Sequence, residues 1–241
     1  MFTFHRVMIL TTAALLAAGC SKAPMSPPPD PAATAKADAE AKAAKELALY
    51  EQMRAGGTLD VAATLGNEIL STYPNTAAAA QVQKTIDDVR AKSARQTETQ
   101  RLSRLWAYNN VPEAGGTQFS AAIPGKESLP GNARIRLVLR QHPKWGQSVY
   151  LLLDNATFDC SKGCATLPVA FDSAPAQRMK ATIPPTGEPA LFIDDDKSFI
   201  AKLEKSQKVS VDVAIKGVGA KTEVFEVGGY DPSKMPNKPK K

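Results

Sequence analysis

Arg134-Ile135-Arg136-Leu137-Val138-Leu139-Arg140 and Val209-Ser210-Val211-Asp212-Val213-Ala214-Ile215 decide the fold. In the first, Ile135, Leu137 and Leu139 alternate with Arg134, Arg136 and Arg140; in the second, Val209, Val211, Val213 and Ile215 alternate with Ser210, Asp212 and Ala214. Successive side chains of an extended chain point to opposite faces, so each stretch is a strand with one buried face. Reading outward from them, the same pattern between turn residues predicts strands over 117–123, 148–155, 165–172, 177–183 and 222–227. Pro168 cannot donate to a ladder and argues for an edge position or a bulge in its strand. One helix interrupts the series near Asp196 and buries Phe199, Ile200 and Leu203. Some seven strands with a single helix predict a sandwich or a partly open barrel over residues 106–230.

Upstream the periodicity is helical, and the chain as a whole is expected to be α+β: an N-terminal helical hairpin or stalk over 35–105, then the β-rich domain. From Ala35 the composition turns to Ala, Lys and Glu, with no proline until Pro74. Leu47, Tyr50 and Met53 share a face, and Gly56-Gly57 ends the first helix. A second runs from about Leu59 to Thr72 with Val61, Leu65, Ile69 and Leu70 on one side. Thr76 caps a third, because its hydroxyl can accept from the free amides of the following turn. The third helix carries Val82, Ile86 and Val89 as its apolar stripe and turns polar over 93–100 before Leu102 and Leu105. The run from Tyr50 through Tyr73-Pro74-Asn75-Thr76 resembles tetratricopeptide-like modules over little more than one repeat, and a simple hairpin or stalk accounts for it equally well.

The first residues carry an export signal. His5 and Arg6 precede an apolar stretch from Val7 to Ala18 that closes on small residues and is too short to span a bilayer. Leu16-Ala17-Ala18-Gly19-Cys20 resembles the bacterial lipobox, with Ala17 where that family favours leucine. The resemblance implies a signal peptide over 1–19, cleavage before Cys20, and lipidation (palmitate) of Cys20, so that the chain meets the membrane through this anchor. Ser21 in place of an aspartate implies the outer membrane, with the domain facing the periplasm. An ordinary cleaved signal that leaves Cys20 free, or an uncleaved tether, is the alternative. Prolines at 24, 27, 28, 29 and 31 make 20–34 an extended spacer. At the other end 231–241 is a basic tail whose prolines oppose helix and sheet.

Three cysteines occur, and Cys160 and Cys164 are close enough to pair, leaving Cys20 as the odd one. A disulfide there staples a hairpin tip, as the oxidising conditions met by an exported protein allow. The spacing is not Cys-x-x-Cys, which argues against a redox-active pair. Trp106, Val149-Tyr150-Leu151-Leu152-Leu153, Phe158-Asp159-Cys160 with Cys164, Val169-Ala170-Phe171-Asp172, and Leu191-Phe192-Ile193 follow one another before a short helix and two last strands. This order resembles a loosely defined group of exported β-rich proteins of Gram-negative bacteria, among them VasI-like proteins linked to type VI secretion and invasion-associated proteins. The group implies fold and compartment and no shared activity.

No constellation for chemistry emerges. Without the leader, His142 is the only histidine, which leaves neither a two-imidazole metal site nor a Ser-His-Asp triad with a spare base, and it reads as a surface residue at a strand end. Asp194-Asp195-Asp196 lacks the spacing and glycine of a calcium loop and reads as a helix cap. Gly115-Gly116 and Gly228-Gly229 read as turns, and Asn155-Ala156-Thr157 matches a glycosylation sequon. The formal charge of +6 loses one unit with Arg6, and the remaining basic residues are scattered, so no nucleic acid is expected. The expectation is therefore a membrane-anchored periplasmic lipoprotein that is not an enzyme, holds no cofactor or metal, and binds or scaffolds a periplasmic protein or cell-wall partner. A secretion-system accessory or immunity lipoprotein and an unrecognised cell-envelope hydrolase are the alternatives.

Overall fold

The computed structural model describes residues 30–161 and 163–236. The expected signal peptide, Cys20, the expected spacer as far as residue 29 and the last five residues of the basic tail lie outside the described residues.

The helical region comprises α1 (Pro31–Ala55), α2 (Leu59–Thr72), α3 (Ala77–Val82) and α4 (Ile86–Leu105). The first helix starts earlier than the composition suggests. Asp30 accepts from the Ala32 amide, and Pro31 stands at the first helical position, where a missing N–H costs nothing. Residues 31–34 are therefore helix and not spacer. Thr76 caps α3 as expected, its hydroxyl accepting from Ala79. The single third helix of the sequence reading is two helices. The chain tightens over 83–85, where the Lys84 and Thr85 amides donate to the carbonyls of Gln81 and Val82, and the Thr85 hydroxyl lies 2.7 Å from Tyr50 Oη. Ala43, Tyr50, Ala62, Ile69, Ala78, Ala79, Val82, Ile86 and Val89 form one core. Its small residues let the helices approach closely: a Cβ on Gly66 would sit 2.5 Å from Ile86 Cδ1.

The β-rich domain is a single open antiparallel sheet of nine strands: β1 (Ala107–Glu113), β2 (Gly116–Pro124), β3 (Arg134–His142), β4 (Gly146–Asp154), β5 (Thr166–Phe171), β6 (Gln177–Thr182), β7 (Ala190–Ile193), β8 (Val209–Ile215) and β9 (Gly219–Phe225). Their spatial order is β1-β2-β3-β4-β7-β6-β5-β8-β9. The strands make one continuous sheet rather than two stacked ones, and no pairing joins β1 to β9 among the described residues. The sheet is curled, since the Lys126 amide after β2 donates to Val224 of β9 at 2.8 Å and side chains from both ends share one core. Within that core α5 (Asp196–Leu203) buries Phe199 edge-on against Phe171, with the ring centroids 5.3 Å apart. Pro168 sits in an interior strand without a bulge. It lies just outside the short ladder that joins Val169–Phe171 to β8, where no donor is required.

The helical region joins the β-rich domain at the end of α4. Trp106 Nε1 donates to the Val227 carbonyl at 3.4 Å, and Leu102 is buried over the turn Val227–Gly229. The Arg101 guanidinium bonds both Glu98 and Glu226. Residues 94–101 between the cores are exposed, so α4 bridges them over about 20 Å of helix between Val89 and Leu102. Pro232–Lys234 forms a further turn at the start of the basic tail, where the Asp231 amide donates to Tyr108 Oη at 2.7 Å and Met235 packs, partly buried, on the core.

Candidate binding face

The alternation that buries Ile135, Leu137 and Leu139 turns Arg136, Val138 and Arg140 to the opposite, outer face of the sheet. Register then sets their neighbours. Val138 pairs with Tyr150, Tyr150 with Phe192, Phe192 with Thr182, Arg136 with Leu152 and Arg140 with Ser148. Val138 is only 5% exposed yet lies outside the inner core. The rings and arginine stems of the outer face cover it, as long cationic side chains can while keeping their charge in water.

Arg140 is the centre of this face. Its guanidinium carbon lies 5.4 Å from the Tyr150 ring centroid, 5.6 Å from that of Trp145 and 6.0 Å from that of Phe192. Each such contact contributes roughly 0.5–1 kcal/mol at a partly exposed site. Tyr150 and Phe192 stack with centroids 4.9 Å apart. Burial pushes the Tyr150 phenol above its ordinary range, against the opposing pull of Arg140 and Arg136. Trp145 is 64% exposed and is held from beneath by His142, whose ring stacks on it at 3.9 Å. His142 is thus not a surface residue: it is 6% exposed, and its Nδ1 accepts from the Lys144 and Trp145 amides, which fixes the β3–β4 turn.

The residues singled out from sequence lie elsewhere. Cys160 and Cys164 are disulfide-bonded. Their segment is tied to β8 by the Phe158–Ile215 bridge and by the Asp159 amide donating to Ala214. Beside it runs a cleft of about 370 Å³ lined by Phe158, Cys160, Ile183, Pro189, Leu191 and Lys216 among others. Asp195 caps α5 by accepting from Ser198, and Asp194 accepts from the Thr182 hydroxyl. Gly115 and Gly116 make the β1–β2 turn with positive φ, whereas Gly229 is pressed against the α4 backbone. Among the described residues no group of three or more His, Cys, Asp or Glu side chains is placed to hold a metal, and no helix is long and apolar enough to cross a membrane. Sequence reasoning missed Arg140, Trp145, Tyr150 and Phe192 as a group. The available signal was Tyr150 at an outward position of β4 opposite an arginine-bearing strand.

No family model and no curated protein matches this chain. Among solved structures it is similar to invasion associated protein B from Bartonella henselae, at 16% identity and a TM-score of 0.36, over 52% of this chain and 85% of that one.

Proposed function

We propose that this chain is a lipid-anchored envelope protein whose β-rich domain binds a partner without catalysis. In this reading Cys20 fixes it to the outer membrane, the spacer and helical region set its distance, and the outer face of the sheet is the docking surface. The observation that carries the binding role is the Arg140 cluster: a guanidinium held among three aromatic rings on the outer face of the sheet. Polar and aromatic groups presented together in this way are the usual anchors of interfaces. The lipobox-like start supports the anchor, and the contacts of Arg101 and Trp106 at the end of α4 suit a domain held at a set distance.

The test is to recover the chain from intact cells, weigh its amino-terminal peptide and identify what crosslinks to it. Diacyl- or triacyl-Cys20 together with a specific partner is the expected result. An unmodified Cys20 removes the anchor, and the absence of any partner removes the binding role.

A further inference from the structure

We propose that residues 231–236 are a removable strap, a C-terminal segment that covers a cavity at one end of the curled sheet and opens without disturbing the strands. The strap closes onto the inner side of the sheet, and its role does not depend on the docking face proposed above.

The cavity follows from the alternation of β3 and β4. Leu139, Gln141 and Gln147 are on the inner side, and Gln141 pairs with Gln147 where the two strands end. They line a cavity of about 250 Å³, and Tyr230, Ser233 and Met235 from the end of the chain contribute to the same lining, beside α5. Neither glutamine side chain has a hydrogen-bonding partner among the described residues, and both are partly exposed, so their amides are left to solvent. This end of the inner face is therefore polar, whereas Leu137, Leu139, Val149 and Leu151 beside it are fully buried core.

The segment over the cavity is held at few points. None of the strand pairings among the described residues includes 231–236. Its internal bonds are those of one turn: Asp231 Oδ1 accepts from the Ser233 amide and hydroxyl, and the Lys234 amide donates to the Asp231 carbonyl. Among the described residues a single hydrogen bond ties it to the rest of the domain, from the Asp231 amide to Tyr108 Oη at 2.7 Å. Lys234 Nζ stands 4.7 Å from the centroid of the same ring, and Met235 packs, partly buried, on the core. Pro232, Ser233, Lys234 and Pro236 are exposed. The segment nevertheless leaves from a fixed point, since Gly229 is pressed against the α4 backbone and Tyr230 rests on Trp106, with centroids 5.0 Å apart. A segment with few buried apolar contacts and no ladder opens locally, ahead of the strands beneath it. Tyr108 is its catch: β1 presents this ring inward, opposite Ala121 of the inner core.

The experiment uses the full-length protein in neutral detergent, with Gln147→Cys as a probe in the cavity. It follows amide hydrogen exchange peptide by peptide, and alkylation of the introduced thiol by a fluorescein maleimide, a reagent bulkier than the cavity. Cys160 and Cys164 are paired and do not react, and peptide mapping separates the probe from Cys20. The Lys234 and Met235 amides should exchange at least about a hundredfold faster than those of β3 and β4, after correction for intrinsic rates. Tyr108→Phe removes the acceptor and keeps the ring. It should raise strap exchange by about threefold to tenfold, as the loss of one hydrogen bond allows, and alkylation should rise in parallel. Met235→Ala, which removes the other contact, should act in the same direction, and neither change should alter exchange in β3 and β4. Strap amides that exchange together with β3 and β4 make the segment part of the sheet's cooperative unit and overturn the proposal. Strap exchange that is unchanged in both variants overturns it too. Alkylation that stays constant while strap exchange rises overturns the covering role, because the cavity then opens by another route.

Discussion

Two residues far from the outer face show how tightly the curled sheet and its joint are specified. A Cβ on Gly229 would lie 2.3 Å from the Leu102 carbonyl carbon and 2.3 Å from the Ser103 nitrogen. These are backbone atoms and cannot rotate away, so Gly229→Ala should destabilise the chain by about 1–3 kcal/mol, as overpacking does elsewhere, measured by denaturant unfolding. Glu223 is 1% exposed and accepts from the Glu127 amide at 3.0 Å, beside Gly125, where any side chain would collide with it. Burial raises its carboxyl above the ordinary range, although backbone donors pull the other way. Between the ordinary and the raised value the folded chain holds a proton that the unfolded chain has lost. Its contribution is therefore complete below the ordinary carboxylate range and declines as the pH climbs through the raised one. Glu223→Gln keeps an acceptor for Glu127 without a buried charge. It should be more stable than the parent at pH 7 and lack that decline, in thermal melts taken across acid to neutral pH.

Among the elements, α4 ties the helical region to the sheet, and Arg101 fastens its end. The Arg101 bond holds Glu226 below the usual carboxylate range, and Glu98 likewise. A lowered carboxyl stabilises above its unfolded value and stops doing so as the pH falls through its folded one. Distances between labels at Lys45 and Lys180 should thus be narrowly distributed at neutral pH and widen both in acid and in Arg101→Ala. An equally narrow distribution in Arg101→Ala would show that Trp106 and Gly229 hold the joint unaided. The strands with alternating burial were legible from sequence because one face meets a core: Val209–Ile215 is predicted to the residue. β1 was not legible, since as an edge strand it is exposed at every position but Tyr108, and β7 has only four residues. The α3–α4 break was hidden for another reason. It rests on a hydroxyl pair, Tyr50 with Thr85, thirty-five residues apart, which no local period reveals. The Arg140 cluster likewise exists only through register, because Trp145, Tyr150 and Phe192 come from a turn and two strands.

At the scale of the whole molecule, two separate cores joined through one helix should unfold as two units. Both tryptophans, Trp106 and Trp145, belong to the β-rich domain, whereas the helices outside it dominate the far-ultraviolet signal. Denaturation followed by fluorescence and by circular dichroism should therefore give transitions that do not coincide; superimposable curves would mean that the joint couples the cores into a single cooperative unit. In the function proposed above, the outer face of the sheet around Arg140 is where the partner docks. The most direct measurement places a photo-crosslinking residue at exposed Lys144, beside Trp145, in the full-length chain in intact cells, with and without Arg140→Gln. The account predicts a discrete envelope component captured by the parent and lost in the Arg140→Gln form; capture that persists unchanged in Arg140→Gln, or none at Lys144 at all, would contradict it.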